Sequence, residues 1–276
     1  MTRLLGLLLT PFLLAGCSHP ACPTTPHDDA ARALRMHRSL RRTVHALRAE
    51  ARVDQRGERG RIRGTVLMYL ERPDRVRFDA MTQFGPVAVL TSDGSSFQLF
   101  DQREERFLEG PACPANIERL LGIAMSGEDV ARLLMGDTPR LTAEEMVMSC
   151  GDEGYHITIR GPDGRRQEII LAPRAADRDA PPERQHLRLR RSTLFHADGR
   201  VDWSVTYDDF QVVVDPRDPE GRGVAFPFRV RFEDPDAGAD TLVRIKEVEI
   251  LPSPPAREVF RQRPPAGLAV EEVQCE

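Results

Sequence analysis

The chain has 276 residues, a net charge of −4 at pH 7 and 40% hydrophobic residues. A net charge this close to zero does not suggest a nucleic-acid partner, so none is predicted. The length is sufficient for a substantial core, and mainly β domains of this size can form a single unit.

The N-terminus has the pattern of an export signal. Arg3 precedes an apolar run from Leu4 to Gly16, which is shorter than the run of about 20 residues that a spanning helix needs. The end of the run, LLAGC at 13–17, resembles the lipobox of bacterial lipoproteins. This resemblance implies cleavage before Cys17, a thioether-linked diacylglyceryl group on its thiol, and acylation of its freed amine by a fatty chain such as palmitate.

The lipobox resemblance also predicts where the mature protein lies. Two or more fatty chains hold a protein stably on a bilayer, so the protein is predicted to be tethered without spanning the membrane. By the sorting rule of such lipoproteins, Ser18 after the cysteine favours the outer membrane, facing the periplasm. The alternative is a secreted protein with an incidental cysteine at this position. The predicted organisation is a signal peptide over 1–16, a tether over 17–27 and one domain over 28–276.

Four cysteines remain after the lipobox, and an even number in an exported protein permits two disulfides. They are Cys22, Cys113, Cys150 and Cys275, which allow three pairings. We favour Cys113–Cys150, which would close a helical insert, with Cys22–Cys275 joining the two ends of the chain.

A helix is predicted over residues 30–50, after the acidic pair Asp28-Asp29, which suits the positive end of a helix dipole. Its apolar side chains lie along one side, with arginines on the other: Leu34, Met36, Leu40, Val44 and Leu47. Such a helix can lie on a membrane or pack on a sheet, and we favour packing on a sheet.

From Arg61 to Gly110 the apolar period changes to two, which predicts a β-meander. Segments 65–70 and 87–90 are apolar on both faces, whereas an antiparallel sheet that is wetted on one side alternates. Both faces of these segments are therefore predicted to be covered, one by core or helix and the other by a cavity or a partner.

The rest of the chain contains a helical insert and further strands. Two apolar helical stripes lie within 114–136, with Ser126 as a predicted N-cap and Gly136 as a predicted helix stop. Strands resume up to residue 251, with hairpin turns at Asp163-Gly164 and Asp198-Gly199. The sequence thus predicts a mainly β (α+β) fold of about nine to eleven strands, one N-terminal helix and a two-helix insert.

The order of these elements is similar to that of LolA/LolB-like lipoprotein carriers, and especially to outer-membrane lipoproteins of unassigned function in that clan. The similarity extends from about residue 30 to 270, and its most specific parts are RPDRVRF at 72–78, SDG at 92–94 and LLMG at 133–136. The resemblance implies a curved antiparallel half-barrel covered by helices, which holds acyl chains on its concave side. The chain departs from the type members in its length and its cysteines.

A carrier of acyl chains needs a dry, concave apolar surface, which a sheet that is apolar on both faces supplies. The candidate lining residues come from the early strands: Leu67, Tyr69, Phe84, Val87, Val89, Phe97, Leu99 and Phe107. The alternative is that they are ordinary core residues, because strand parity does not reveal which face is concave.

No motif of catalysis, metal binding or cofactor binding is found. The stretch Gly94-Ser95-Ser96 is not a nucleophile elbow, the histidines lack HExxH spacing, and no phosphate-binding or dinucleotide fingerprint occurs. The predicted function is therefore non-enzymatic: a lipoprotein that binds acyl chains or lipidated proteins and assists lipoprotein or envelope biogenesis. The alternative is a structural or interaction lipoprotein of an envelope assembly, with a protein partner and no lipid cargo.

Overall fold

A computed structural model describes residues 22–57, 60–221 and 223–275. The predicted signal peptide, Cys17 and the first part of the predicted tether lie outside the described residues. The helices are α1 (Ala30–Arg42), α2 (Pro114–Leu121) and α3 (Gly127–Leu134). The strands are β1 (Ala46–Gly57), β2 (Gly60–Glu71), β3 (Arg75–Thr82), β4 (Gly85–Ser92), β5 (Ser96–Asp101), β6 (Arg106–Pro111), β7 (Glu145–Gly151), β8 (Gly154–Arg160), β9 (Arg166–Pro173), β10 (Leu187–Phe195), β11 (Val201–Val213), β12 (Val224–Asp234), β13 (Ala239–Ile250) and β14 (Val270–Glu272).

In the described part of the chain, the strands form one open 14-stranded sheet in the order β14-β6-β5-β4-β3-β2-β1-β13-β12-β11-β10-β9-β8-β7. Every neighbouring pair is antiparallel except β14 and β6, which are parallel. We call the strand ends at the β7–β8 and β9–β10 connections the lower end of the sheet. The strand ends at the β1–β2, β3–β4 and β10–β11 turns form the upper end.

The predicted N-terminal helix is wrong in its second half. Helix α1 ends at Arg42, and Leu47, which was predicted on its apolar side, lies in β1. There Leu47 is opposite both Leu70 of β2 and Ile250 of β13, so β1 joins the two halves of the sheet. Pairing on both sides of β1 outweighs the local helical period, which is a weak preference beside tertiary contacts.

One contiguous core lies on a single face of the sheet, which we call the core face. Leu47, Leu70 and Val76 are opposite one another in adjacent strands and are buried on this face. Their chain neighbours Arg48, Tyr69 and Arg77 point to the other face, which we call the outer face. Helix α1 contacts β7 and β10, α2 contacts β4, and α3 contacts β3.

The ends of α3 confirm two sequence predictions. The Ser126 hydroxyl accepts a hydrogen bond from the Asp129 N–H at 3.1 Å, as expected of an N-cap. At the other end, Gly136 has a φ of 77°. Its N–H donates to Leu133 O and the Asp137 N–H donates to Arg132 O, both at 2.9 Å. This pair of bonds is a Schellman motif, which needs the left-handed conformation that glycine adopts without strain.

The C-terminal segment covers part of the outer face. Phe260 is buried, and the short helical turn Arg257–Phe260 contacts β3 and β4. The Gln262 side chain donates to Val89 O at 2.9 Å and to Gln98 O at 3.1 Å. The second apolar face of segment 87–90 is therefore covered by the chain's own C-terminal segment.

The two disulfides have a different connectivity from the favoured one. Cys22 is bonded to Cys150, and Cys113 is bonded to Cys275. Cys113 follows β6 and Cys150 is the last residue but one of β7, and these two strands lie at opposite sides of the sheet order. The pairing Cys113–Cys150 is thus wrong because residues that flank the helical segment in sequence belong to distant strands.

The N-terminal segment 22–27, which was predicted as part of a tether, is fastened to the domain. The Thr24 N–H donates to Arg178 O at 2.9 Å, and the His27 N–H donates to the Tyr155 hydroxyl at 3.0 Å. The Gln185 side chain donates to Thr25 O at 2.8 Å. These bonds, with the disulfide of Cys22, limit any free tether to the residues before Cys22.

The buried ring of His27 gives this segment a predicted pH dependence. It is 5% exposed, packs edge-on against Tyr155, and neither ring nitrogen has a hydrogen-bond partner in the described residues. Burial, and then the charge of Arg32, lower the pKa of His27 below 6.5. The stability that the neutral ring contributes is full above about pH 6.5 and is lost as the pH falls through the lowered pKa.

We expect His27→Phe to remove this acid sensitivity while keeping the ring contact with Tyr155. Urea denaturation at pH 7 and pH 5 should show a loss of unfolding free energy that is smaller in the variant by on the order of 1 kcal/mol. Equal losses in the two proteins would show that His27 does not titrate on unfolding in this range.

Candidate functional site

The structure does not place the predicted lining residues on one surface. The core face carries Phe97 and Leu99, whereas the outer face carries Leu67, Tyr69, Val89 and Phe107. Val87 is half-buried beside a bulge in β4, and Phe84 is 91% exposed in the β3–β4 turn. The alternation of side chains along each strand separates the two faces of the sheet, but it does not show which residues of different strands share a cavity.

The half-exposed side chains of Leu67 and Tyr69 lie in a shallow recess of about 170 Å³ on the outer face of β1, β2 and β13. Four charged residues line it, Arg48, Glu50, Glu247 and Glu249, and Glu50 is paired with Lys246 at 2.5 Å. Its small volume is below the range of about 300–1,000 Å³ that is usual for ligand sites.

A larger recess of about 410 Å³ lies near the upper ends of β9, β10 and β11, and the sequence did not predict it. Apolar side chains of Met125, Leu194 and Trp203 form its floor, each less than 10% exposed. The other lining residues are Pro114, Ala124, Ser126, Asp129, Pro139, Arg140, Leu141, Arg165, Gln167 and Asp202. Its volume is in the usual range for a ligand site.

The sheet register and one tight helix end bring the recess together. Leu194 of β10 is opposite Trp203 of β11 and Gln167 of β9, so these three side chains share the core face. On the other side, Gly122 ends α2 with a φ of 64°. This left-handed conformation favours glycine, and the end of the Gln55 side chain lies close to the place where a Cβ would be, so any larger residue would also require Gln55 to move.

Buried hydrogen bonds fix the wall of the recess. The Gln167 amide donates to Pro139 O at 2.7 Å and to the Ser192 hydroxyl at 2.9 Å. Its oxygen accepts from the Leu141 N–H at 3.0 Å. The segment 138–141 is thereby held against β9 and β10, so the protein's own hydrogen bonds fix this wall of the recess.

Behind this wall is a buried ionic cluster around Asp137. One carboxylate oxygen is 3.5 Å from Arg140 Nη2 and 3.8 Å from His37 Nε2, and the other is 3.5 Å from Arg38 Nε. Burial raises the pKa of Asp137, but the neighbouring positive groups outweigh it and hold the pKa below its ordinary value. The Tyr207 hydroxyl donates to Asp137 O at 2.7 Å, so the cluster links α1, the α3–β7 segment and β11.

Two kinds of feature are not found among the described residues, a cluster of metal ligands and a helix that could span a membrane. No three His, Cys, Asp or Glu side chains among residues 22–57, 60–221 and 223–275 are grouped as a metal site. Among the helices of the same residues, none has both the length and the apolar character needed to cross a membrane. In the sequence, the feature nearest to the recess is Trp203, the single tryptophan of the chain. It belongs to a run in which apolar residues occupy alternate positions up to Tyr207.

Neither a protein-family model nor a curated protein matches the sequence. Solved structures do match the fold. A LolA superfamily protein from Nitrosomonas europaea has a TM-score of 0.51 and 10% identity, over 86% of this chain and 99% of its own. A putative outer membrane lipoprotein-sorting protein domain from Vibrio parahaemolyticus has a TM-score of 0.51 and 10% identity, over 84% and 97%. A DUF1329 family protein from Desulfovibrio piger has a TM-score of 0.52 and 12% identity, over 85% and 98%.

These likenesses span most of each chain at very low identity, so they establish the fold and not the activity. The protein is mainly β and has a LolA-like fold.

Proposed function

From its LolA-like fold, we propose that this protein is a non-enzymatic lipoprotein of the bacterial envelope that shelters an acyl chain, free or borne by a lipidated protein. Fatty chains on Cys17 hold it at the outer membrane, facing the periplasm. The sheet acts as a half-barrel with α1 and the α2–α3 pair as its cover. The observation that carries the proposal is the recess over Met125, Leu194 and Trp203.

The physical basis is the burial of hydrocarbon in the recess, against side chains that belong to the hydrophobic core. Each methylene that leaves water for an apolar surface contributes about 0.8 kcal/mol. The floor of the recess continues into the core through Trp203, whose ring stacks on Phe232 at 6.5 Å between centroids. An acyl chain that enters between the α2–α3 connection and β9–β11 therefore meets apolar side chains along its path.

The proposal is tested by lipid binding to the soluble form lacking residues 1–17. We expect extraction of the purified protein to release lipid and a fluorescent fatty acid to bind saturably. Ala124→Trp should weaken this binding at least about tenfold, because Ala124 is half-buried at the recess and a large ring there fills the space without altering the core.

Leu67→Trp is the matched control, since it adds the same ring to the outer face at one of the early-strand candidates. It should leave binding unchanged. Absence of both extracted lipid and saturable binding would exclude a carrier role. Loss of binding in Leu67→Trp alone would move the site to the outer face.

A structural or interaction lipoprotein without cargo is the second candidate function. The close packing of α3 on the core face supports it, because Val130, Leu133 and Leu134 already occupy apolar space there. A stable envelope partner in a pulldown, with wild-type function retained in Ala124→Trp, would favour this candidate.

A further inference from the structure

The outer face carries a concentration of arginines near the upper ends of β12, β13, β1 and β2. The sheet register places twelve outward side chains there in three adjacent rows, which we call the arginine patch. From the upper end, the rows are Glu233, Asp240, Arg56 and Arg61; Arg231, Leu242, Asp54 and Arg63; and Arg229, Arg244, Arg52 and Thr65. Seven of the twelve are arginines and three are carboxylates, so the patch has a surplus of four positive charges in a protein whose net charge is −4.

The three carboxylates of the patch are already bonded to three of its arginines. These ion pairs are Asp54–Arg61 at 2.6 Å, Asp54–Arg63 at 2.9 Å, Asp240–Arg231 at 2.8 Å and Glu233–Arg231 at 3.2 Å. The other four arginines are all exposed: Arg52, Arg56, Arg229 and Arg244. No ion pair or side-chain hydrogen bond joins their guanidinium groups to another of the described residues.

The carboxylates that border the patch do not neutralise it. Asp208 of β11, beside the lowest row, is bonded to Arg190 at 2.6 Å. Glu50, below the same row on β1, is bonded to Lys246 at 2.5 Å. Glu247 lies opposite Glu50, and with it the patch and its border together still have a surplus of three positive charges.

The lowest row places three like charges side by side. Arg244 lies directly opposite Arg52 on one neighbouring strand and Arg229 on the other, and adjacent strands are about 4.8 Å apart. Like charges that are directly opposite one another destabilise a sheet. A local rule broken in this way is typical of a functional site, where binding of a partner offsets the cost. The chemistry that this row lacks is that of an anion.

We propose that the arginine patch docks on a bilayer surface, where Arg52, Arg229 and Arg244 bind the phosphate groups of anionic lipid headgroups. Arginine holds a phosphate through two parallel hydrogen bonds, and each arginine close to an anionic bilayer strengthens its binding. This inference goes beyond the proposed function, since it requires neither lipidation of Cys17 nor cargo in the recess.

The extent of the patch favours a bilayer over a small soluble anion. Arg52 and Arg56 are four positions apart on β1, which corresponds to about 13 Å, and Arg52 and Arg229 are two strands apart, which corresponds to about 10 Å. One phosphate group contacts only a part of such an area. The headgroups of several neighbouring lipids cover it, so charge and size indicate the same partner.

Two exposed apolar side chains at the same end of the molecule suit this partner. Phe84 in the β3–β4 turn is 91% exposed, and Ile62 in the upper part of β2 is 63% exposed. A bilayer against the upper part of the outer face meets arginines and apolar side chains together, whereas a soluble anion meets the arginines alone.

Vesicle sedimentation tests the proposal with the soluble form lacking residues 1–17, which retains every described residue. Phosphatidylcholine vesicles are compared with vesicles that also contain phosphatidylglycerol. We expect the wild type to bind the anionic vesicles at least about tenfold more tightly, and this preference should decrease as added salt screens the charges.

Arg52→Gln with Arg244→Gln removes two adjacent charges of the lowest row. It should weaken binding to the anionic vesicles at least about tenfold and leave binding to phosphatidylcholine alone unchanged. Its urea midpoint should equal or exceed that of the wild type, because the change also relieves repulsion between like charges. A loss of binding is then not a loss of folding.

Arg178→Gln with Arg184→Gln is the matched control. It changes the net charge by the same amount, at two exposed arginines of the β9–β10 connection at the lower end. Binding of this control to the anionic vesicles should stay within about twofold of the wild-type value, since these arginines lie outside the patch.

Equal binding of the wild type to the two kinds of vesicle would overturn the proposal. The same loss in both double variants would show that net charge determines binding, and would overturn the patch as its site. Inorganic pyrophosphate tests the soluble alternative. If it raised the urea midpoint of the wild type but not that of Arg52→Gln with Arg244→Gln, while the anionic vesicles were not preferred, the patch would bind a soluble phosphate and the bilayer would be excluded.

Discussion

Asp137→Asn is expected to lower the free energy of unfolding by about 3–5 kcal/mol. The change keeps the shape of the side chain but leaves the largely buried Arg140, and the half-buried Arg38, facing a neutral amide. Breaking one partner of a buried ionic cluster is costly because the remaining charges stay desolvated. Urea denaturation at pH 7, with the midpoint and the slope both fitted, measures the loss.

A surface carboxylate provides the control. Asp163 pairs with Arg165 in the β8–β9 turn, and both side chains are more than 40% exposed. Asp163→Asn retains an acceptor for the turn and should leave the urea midpoint nearly unchanged, because solvent screens an exposed ion pair. If the two variants lost the same small amount, the cluster around Asp137 would not be a determinant of stability.

The same variant should change the acid limb of the stability curve. The pKa of Asp137 is lower in the folded protein than in the unfolded chain. Its charged form therefore stabilises the fold above about pH 3.9, and this contribution is lost as the pH falls through the lowered pKa. Asp137→Asn should have a flatter dependence below about pH 4 than the wild type.

Cys113→Ser with Cys275→Ser is expected to cost about 2–5 kcal/mol of unfolding free energy. The bond closes a loop with a sequence separation of 162, so its loss frees a large part of the unfolded chain. In the folded protein it holds β14 beside β6 and the C-terminal segment over Val89 and Phe107.

The variant should also expose the outer face of β4–β6. We expect a dye for apolar surfaces to bind it more strongly than the wild type at pH 7, before unfolding begins. Adding a reductant to the Cys22→Ser with Cys150→Ser variant, in which Cys113–Cys275 is the remaining disulfide, should reproduce both effects. A loss below about 1 kcal/mol with no new dye binding would mean that β14 and Gln262 hold the segment without the bond.

The Asp137 cluster and the Cys113–Cys275 disulfide support different surfaces of the protein. The Asp137 cluster lies behind the wall that segment 138–141 forms at the recess, so it supports the space that would receive an acyl chain. The Cys113–Cys275 bond closes an apolar surface on the outer face, which would otherwise compete for lipid or for other proteins.

The sequence determined the local features that depend on a few neighbouring residues. Ser126 and Gly136 marked the ends of α3 because a cap needs particular side chains at particular positions. The period of two that the sequence shows from Arg61 to Gly110 is seen in β3, where Val76 and Phe78 lie two residues apart on the core face. The mainly β fold class followed from these periods.

Only the tertiary structure decided features that depend on which strands meet. Leu47 continues a helical period, but its partners Leu70 and Ile250 come from distant parts of the chain and place it in β1. The disulfide pairing and the recess have the same origin, because Cys150, Leu194 and Trp203 acquire their neighbours through the strand order. Local pattern sets which face of an element is apolar, and long-range pairing sets what that face contacts.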